Sequence, residues 1–259
     1  QQRYIRPLVR EPVDDRHRIV LKGNVHPLAR PQFEVAAAPP ELPMERMLLV
    51  LKRSPEQETA LLKLLDDQQD RSSPQFHKWV TPEQFGQQFG PADSDIQAVT
   101  SWLQSHGFEI AQVSKGRTLI EFSGTAAQVQ EAFHTPIQKY MVEGKAHWAN
   151  SSNPEIPEAL AAVVAGINSL HNFYKKTQVG LSPERGRLTT SPGAQPEITF
   201  SDGTHALGPA DYRVLYNATL TLAQGIDGQG QTIAVVARSN LYAGGQDVYD
   251  FRNIFGGFS

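Results

Sequence analysis

Apolar positions change period several times along this chain, and each change marks an element. Met47-Leu48-Leu49-Val50-Leu51 is a continuous apolar run flanked by charge, short enough for a buried strand spanning about 44–51. Ser54-Pro55-Glu56-Gln57 then reads as a capping box with proline at the first helical position. Behind it, Leu61, Leu62, Leu64 and Leu65 predict an apolar stripe on one helix face. Asp66, Asp67 and Asp70 crowd the far end of that helix, where negative charge opposes the helix dipole. Thr81-Pro82-Glu83-Gln84 repeats the capping grammar, and Gly90-Pro91 ends the short helix it opens. Ile96, Val99, Trp102 and Leu103 recur at helical spacing, with Gly107 placed to terminate them.

The period then shortens. Residues 108–113 and 118–122 read as two strands joined through Ser114-Lys115-Gly116-Arg117, whose glycine suits a hairpin turn. Thr125-Ala126-Ala127-Gln128 is a third capping box. It opens a helix with Val129, Ala132 and Phe133 inward, and Pro136 blocks its continuation. A strand over 137–142 turns back through Glu143-Gly144-Lys145 into Ala146-His147-Trp148-Ala149, and an apolar stretch over 159–170 closes the unit. Helices separated by hairpins and single strands predict an α+β sandwich, with helices on one face of an antiparallel sheet.

The flanks have a different character. Pro7, Pro12, Pro27, Pro31, Pro39 and Pro40 stand among charges in the first 40 residues and interrupt any regular element, which predicts an extended leader lying on the surface. From Tyr174 onward, Gly180, Pro183, Gly186, Pro192, Gly193 and Pro196 sit among polar residues, the composition of a linker over 174–206. Order is expected to resume at Gly208-Pro209, with Tyr212, Leu215 and Tyr216 on a short helix. Thr232-Ile233-Ala234-Val235-Val236-Ala237 predicts a strand covered on both faces, the pattern of a parallel sheet. Asp247, Val248, Phe251, Ile254 and Phe255 predict one more helix. About 50 residues after the linker offer too few partners to bury Ile233, Val235 and Phe255.

Composition narrows the function. The chain has 259 residues, a formal net charge of -3 and no cysteine. The basic footprint of a nucleic-acid-binding protein is absent, no apolar run approaches the roughly 20 residues of a spanning helix, and thiol chemistry and disulfides are excluded. The first residue, Gln1, follows no basic-then-apolar leader, as expected after removal of a signal peptide and equally of a cytosolic chain.

Three blocks carry a family resemblance. Phe76-His77-Lys78-Trp79-Val80-Thr81-Pro82-Glu83-Gln84-Phe85-Gly86-Gln87-Gln88-Phe89-Gly90-Pro91 closely resembles the signature of the activation propeptide of sedolisin-type (serine-carboxyl, kumamolisin-like) peptidases. Arg117-Thr118-Leu119-Ile120-Glu121-Phe122-Ser123-Gly124-Thr125 and Ile156-Pro157-Glu158-Ala159-Leu160-Ala161-Ala162-Val163-Val164-Ala165-Gly166 extend the resemblance in the same order. It implies a ferredoxin-like propeptide at 41–173, after a leader at 1–40 and before a linker at 174–206 that contains the maturation cleavage. Residues 207–259 resemble the start of a subtilisin-like catalytic domain.

Family chemistry needs a Glu and an Asp four residues apart on one helix to activate a Ser, with an oxyanion-stabilising Asp from elsewhere. Glu11 and Asp15 have the spacing, but Pro12 stands between them; Asp66 and Asp70 share a helix face, but neither is Glu. Ser123-Gly124-Thr125 resembles the start of the nucleophile segment, yet Ala126 stands at the nucleophile position, and helix capping explains the motif. Ala237 is followed by Arg238-Ser239-Asn240, without the Asp a true subtilisin places after its first central strand. The eight histidines show no zinc-helix spacing and read as surface or core residues. Asn150-Ser151-Ser152 and Asn217-Ala218-Thr219 match the glycosylation pattern, which chance supplies often.

The resemblance therefore implies a secreted or periplasmic, bacterial zymogen whose parent is a peptidase, while this span lacks the catalytic Ser, Glu and Asp and is expected to be inactive alone. The propeptide is expected to act as intramolecular chaperone and inhibitor until autoproteolytic removal at acidic pH. Its partner is the cognate catalytic domain in cis, with no nucleic acid and no membrane. No cofactor or metal is expected within this span, calcium belonging by resemblance to the full-length peptidase. Phe173, Tyr174, Lys175 and Lys176 are the residues expected to enter the active-site cleft. Two alternatives remain on sequence alone: a stand-alone α+β module that recognises protein by sheet-edge pairing, and an inhibitor acting in trans.

Overall fold

Met47, Leu49 and Leu51 alternate along strand β3 (Pro43–Leu51), and all three are buried while their neighbours are half-exposed. This period-2 burial fixes which side of the central sheet meets the core. In the computed structural model, residues 5–174, 198–199, 205–236, 241 and 244–255 are described. They fall in two compact units, 1–175 and 176–259.

The first unit is built on a four-stranded antiparallel sheet in the order β4 (Glu109–Val113), β5 (Leu119–Thr125), β3, β9 (Val164–Asn168). Between β3 and β4 lie α1 (Pro55–Gln69), α2 (Pro82–Phe89) and α3 (Asp93–Ser105), and α4 (Ala126–Phe133) comes after β5. With its core strands numbered one to four along the chain, the sheet reads 4-1-3-2, the ferredoxin-like βαββαβ order. The expected α+β architecture is the observed one.

Val99 and Leu103 from α3 and Val129 and Phe133 from α4 meet Met47, Leu49, Ile120 and Phe122 from the sheet, every one fully buried. Each such side chain contributes about 1.5–3 kcal/mol of apolar burial. The aromatic rings pack edge to face: Trp102 on Phe133 at 5.4 Å between centroids, and Phe108 on Phe122 at 5.2 Å.

All three capping boxes form. Ser54, Thr81 and Thr125 each accept from the backbone N–H of Gln57, Gln84 and Gln128, and each glutamine reaches back to the cap amide. Gly107 ends α3 at φ +79°, and His134 ends α4 in the left-handed region at φ 49°, two residues before Pro136.

Four expectations are corrected. On α1, Leu61 is buried and Leu64 half-buried, but Leu62 and Leu65 are 54% and 49% exposed, so the leucine stripe is narrower than the sequence suggests. Gln68 completes the buried face instead, its amide donating to the Lys78 carbonyl at 2.5 Å. In the 114–117 turn the positive φ belongs to Arg117 (φ 53°), not Gly116. Gly116 is needed there for no left-handed backbone.

The leader also forms regular structure. Short strands fit between its prolines: β1 (Arg18–Val20) pairs with β8 (Glu155–Pro157), and β2 (Glu34–Ala37) joins β6 (Ile137–Val142) and β7 (Lys145–Asn150) in a second, three-stranded sheet. A smaller core of Ala29, Tyr140, Val142 and Ala149 lies against that sheet. Asp95 on α3, 1% exposed, holds the leader: its carboxylate accepts the amides of Leu8 and Val9 at 2.9–3.0 Å. Asp15 accepts Trp102 Nε1–H at 3.0 Å and lies 2.6 Å from the Arg18 guanidinium, which donates in turn to the Ala132 carbonyl.

In the second unit, β10 (Ile198–Thr199) pairs with β11 (His205–Ala206), and α5 (Pro209–Leu215), α6 (Thr219–Ala223) and α7 (Gln246–Phe255) are helical, as expected at 209–216 and 247–255. The fourth correction falls here. Residues 232–236 form no strand; Ile233, Val235 and Val236 are 87%, 82% and 101% exposed, and Ala237 lies outside the described residues. A strand of this kind holds its shape through neighbours on both edges and cover on both faces. None of these is present around 232–236 among the described residues.

Candidate functional site

The first signature block folds into a rigid corner seated on the second. Gly86 on α2 and Gly90, the residue just past its end, face the 114–117 turn: a Cβ on Gly86 would meet the Lys115 carbonyl oxygen, and one on Gly90 would lie 2.6 Å from Arg117 Cβ. Only glycine permits this closeness. Around the contact, Lys115 pairs with Glu83 at 2.8 Å and Arg117 with Asp93 at 2.6 Å, while the Gln57 amide donates to the Gly90 carbonyl. The Lys115 ammonium holds the Glu83 carboxyl below its usual value. These exposed pairs set orientation more than stability. The third block leads into and begins β9, which closes the central sheet against β3.

The other end of the unit is where the chain leaves it. Residues 170–172 run along β7: Asn150 N–H donates to the Leu170 carbonyl, Asn172 N–H to the Trp148 carbonyl, and Trp148 N–H to Asn172 Oδ1. Leu170 is buried, and Phe173 is the last partly buried hydrophobe before the linker. Its ring lies parallel to His26 (centroids 4.3 Å, 5°) and to His147 (4.2 Å, 14°), one imidazole stacked on each face. His171 tilts against His26 at 4.5 Å, and Tyr140 flanks Phe173 at 6.5 Å. Burial, with His147 nearby, lowers the tendency of His26 to protonate; burial, with His26 nearby, does the same for His171.

Of the four residues predicted to enter a cleft, Phe173 is half-buried in this cage and Tyr174 is 69% exposed, while Lys175 and Lys176 lie outside the described residues. Sequence reasoning missed His26, His147 and His171. They stand on a leader loop, a strand and the exit segment, and no local spacing links positions so far apart. Among the described residues no group of three His, Cys, Asp or Glu side chains could hold a metal ion. Asn150 of the first glycosylation-like triplet is fully buried, its amide donating to the Asn24 and Ser152 carbonyls, so it cannot carry a glycan in the folded unit. No helix among the described residues is long and apolar enough to cross a membrane.

Comparison with known proteins fits this division. Residues 34–173 match the family model of the pro-kumamolisin activation domain. The chain belongs to that family and carries the activation propeptide of a sedolisin-family peptidase precursor. It is 32% identical over 147 residues to sedolisin of Pseudomonas sp. (strain 101), covering 57% of this chain and 24% of that protein. It is 29% identical over 177 residues to xanthomonalisin of Xanthomonas sp. (strain T-22), covering 66% and 21%. With human tripeptidyl-peptidase 1 the identity is 25% over 228 residues, covering 83% and 37%. The chain thus spans between about a fifth and two fifths of the length of these relatives.

Proposed function

We propose that the first unit is both chaperone and inhibitor of a sedolisin-type catalytic domain joined to it in cis. The observation that supports this most is a coincidence of boundaries: the activation-domain match ends at Phe173, and the compact unit ends at residue 175. Subtilisin-like sheets rest on non-local strand pairings that fold slowly, so a preformed partner surface lowers the barrier and stabilises the folded enzyme by mass action. The unit suits that task because its own core is complete, so it can fold before its partner.

In this reading the linker at 174–206 carries the maturation cleavage, and Phe173, Tyr174, Lys175 and Lys176 lead the chain into the active-site cleft. Removal is autoproteolytic and occurs at acidic pH, after export to the periplasm or the exterior. The test is refolding. A denatured sedolisin-type catalytic domain is diluted into buffer with and without the chain, and the peptidase activity recovered after removal of the chain is compared. A several-fold gain in recovered activity is expected. Equal recovery would remove the chaperone role.

A further inference from the structure

The backbone amide of Phe173 donates to Nδ1 of His171 at 3.2 Å, and the amide of Leu28 donates to Nδ1 of His26 at 3.2 Å. An imidazole nitrogen that accepts a hydrogen bond carries no proton, so both rings are held neutral, with the proton on Nε2. These same two rings touch each other at 4.5 Å, and His26 covers one face of Phe173. We infer that His26, His147 and His171 form an acid-released latch on Phe173, which holds the start of the linker against the second sheet at neutral pH and lets it go on protonation.

A proton on His171 Nδ1 turns the acceptor for the Phe173 amide into a second donor, and the two N–H groups then oppose each other. A proton on His26 Nδ1 does the same to the Leu28 amide. One imidazolium above a phenyl face is weakly attracted to it, so a single charge is tolerated. Two charges at the His26–His171 contact repel each other in a half-buried site.

The remaining groups on the surrounding elements do not cancel this. The leader loop brings Lys22 and Arg30, the latter donating to the Pro27 carbonyl; β6 brings Lys139, set over Trp148, and Tyr140; β7 brings Lys145; the exit segment brings Tyr174. The acidic members are Glu34 on β2, opposite Tyr140 in the strand register, and Glu143 in the turn between β6 and β7. The charges that bear on His26 and His171 come from other histidines. Both rings therefore bind protons less readily in the folded unit than in an open chain. The stability they confer is complete above the usual imidazole value of about 6.5 and is lost as pH falls through their lower folded values. Residues 170–172 keep their backbone pairing to β7, so release is confined to Phe173 and the residues beyond it.

The latch stands on the geometry of the unit; its use in exposing the linker for maturation rests on the proposed function. Its test needs no peptidase. The 15N-labelled 259-residue chain is titrated from pH 7.5 to 4.5, tracking the heteronuclear NOE of the Phe173 and Tyr174 amides and the ring signals of the three histidines. The expected result is an ordered Phe173 amide at pH 7.5 and a disordered one at pH 4.5, with a midpoint below 6.5 shared by His26 and His171. The double variant His26→Asn/His171→Asn keeps an acceptor atom at each Nδ1 position without a titrating group, and it is expected to hold Phe173 ordered at pH 4.5. A Phe173 amide that stays ordered in the unsubstituted chain at pH 4.5, or that is released at the same pH in the double variant, would overturn the latch. Should the double variant fail to fold, the shared midpoint in the unsubstituted chain still decides. Loss of inhibition or chaperoning with an intact titration would sink the proposed function and leave the latch standing.

Discussion

Gly86 lies directly against Lys115: a methyl group on its Cα would run into the Lys115 carbonyl oxygen, which belongs to backbone and cannot swing away. That contact, repeated by Gly90 against Arg117, is what seats the helical corner of the propeptide signature on the central hairpin.

Gly86→Ala is a sharp test of this contact because helix propensity pushes the other way. In an exposed helix interior the substitution stabilises by about 1 kcal/mol. Here overpacking is expected to win, for a net loss of about 1–3 kcal/mol in urea unfolding. A variant as stable as the parent or more so would show that the corner can shift aside freely.

Asp95 is expected to be the anchor of the leader. Its buried carboxylate accepts two backbone N–H groups, that of Leu8 shared between both oxygens and that of Val9, and bonds to a charged acceptor contribute about 1.5–3 kcal/mol. Asp95→Ala should lower stability by about 3 kcal/mol. Hydrogen exchange at Leu8 and Val9 should speed up, while that at Leu49 and Ile120 should change only with global stability. Unchanged protection at Leu8 would mean that other contacts hold the leader.

Acid should weaken the Asp15 cluster as well. Burial pushes the Asp15 carboxyl up, but the hydrogen bond from Trp102 and the charges of His106 and Arg18 outweigh it and hold the carboxyl below the usual carboxylate value. A lowered folded value means stability that is complete above about pH 4 and drains away as pH falls further. Asp15→Asn should therefore be less stable than the parent at pH 6, with the difference shrinking toward pH 3. Because the side chain is 47% exposed, solvent screening keeps the effect modest. A difference that stays constant across this range would assign the role of Asp15 to hydrogen bonding alone.

What the sequence disclosed of this fold came from local rules. Ser54, Thr81 and Thr125 announce their helices because a capping box is satisfied within four residues, and the short unbroken apolar run from Met47 to Leu51, flanked by charge, announces a strand. The β6–β7 hairpin of the second sheet was legible from its turn, but the third strand was not, since β2 needs β6 about a hundred residues away, and three or four residues between prolines carry no periodicity of their own. Leu62 and Leu65 misled because burial on α1 depends on where the chain after it packs, and Gln68 took the inner position by bonding to Lys78. At 232–236 the strand-like composition is real, but composition does not supply the neighbours that a buried strand requires. At the exit of the unit Phe173 was singled out, whereas His26, His147 and His171 meet only through tertiary structure.

The central claim is that this unit binds and blocks a sedolisin-type catalytic domain, and inhibition tests it most directly. The purified chain is mixed with a mature sedolisin-type peptidase at acidic pH, and residual peptide hydrolysis is measured against chain concentration and time. The prediction is tight, slowly developing inhibition, with activity returning only as the linker beyond Phe173 is cut. Hydrolysis at the uninhibited rate across the whole concentration range, with the first unit intact throughout, would contradict it.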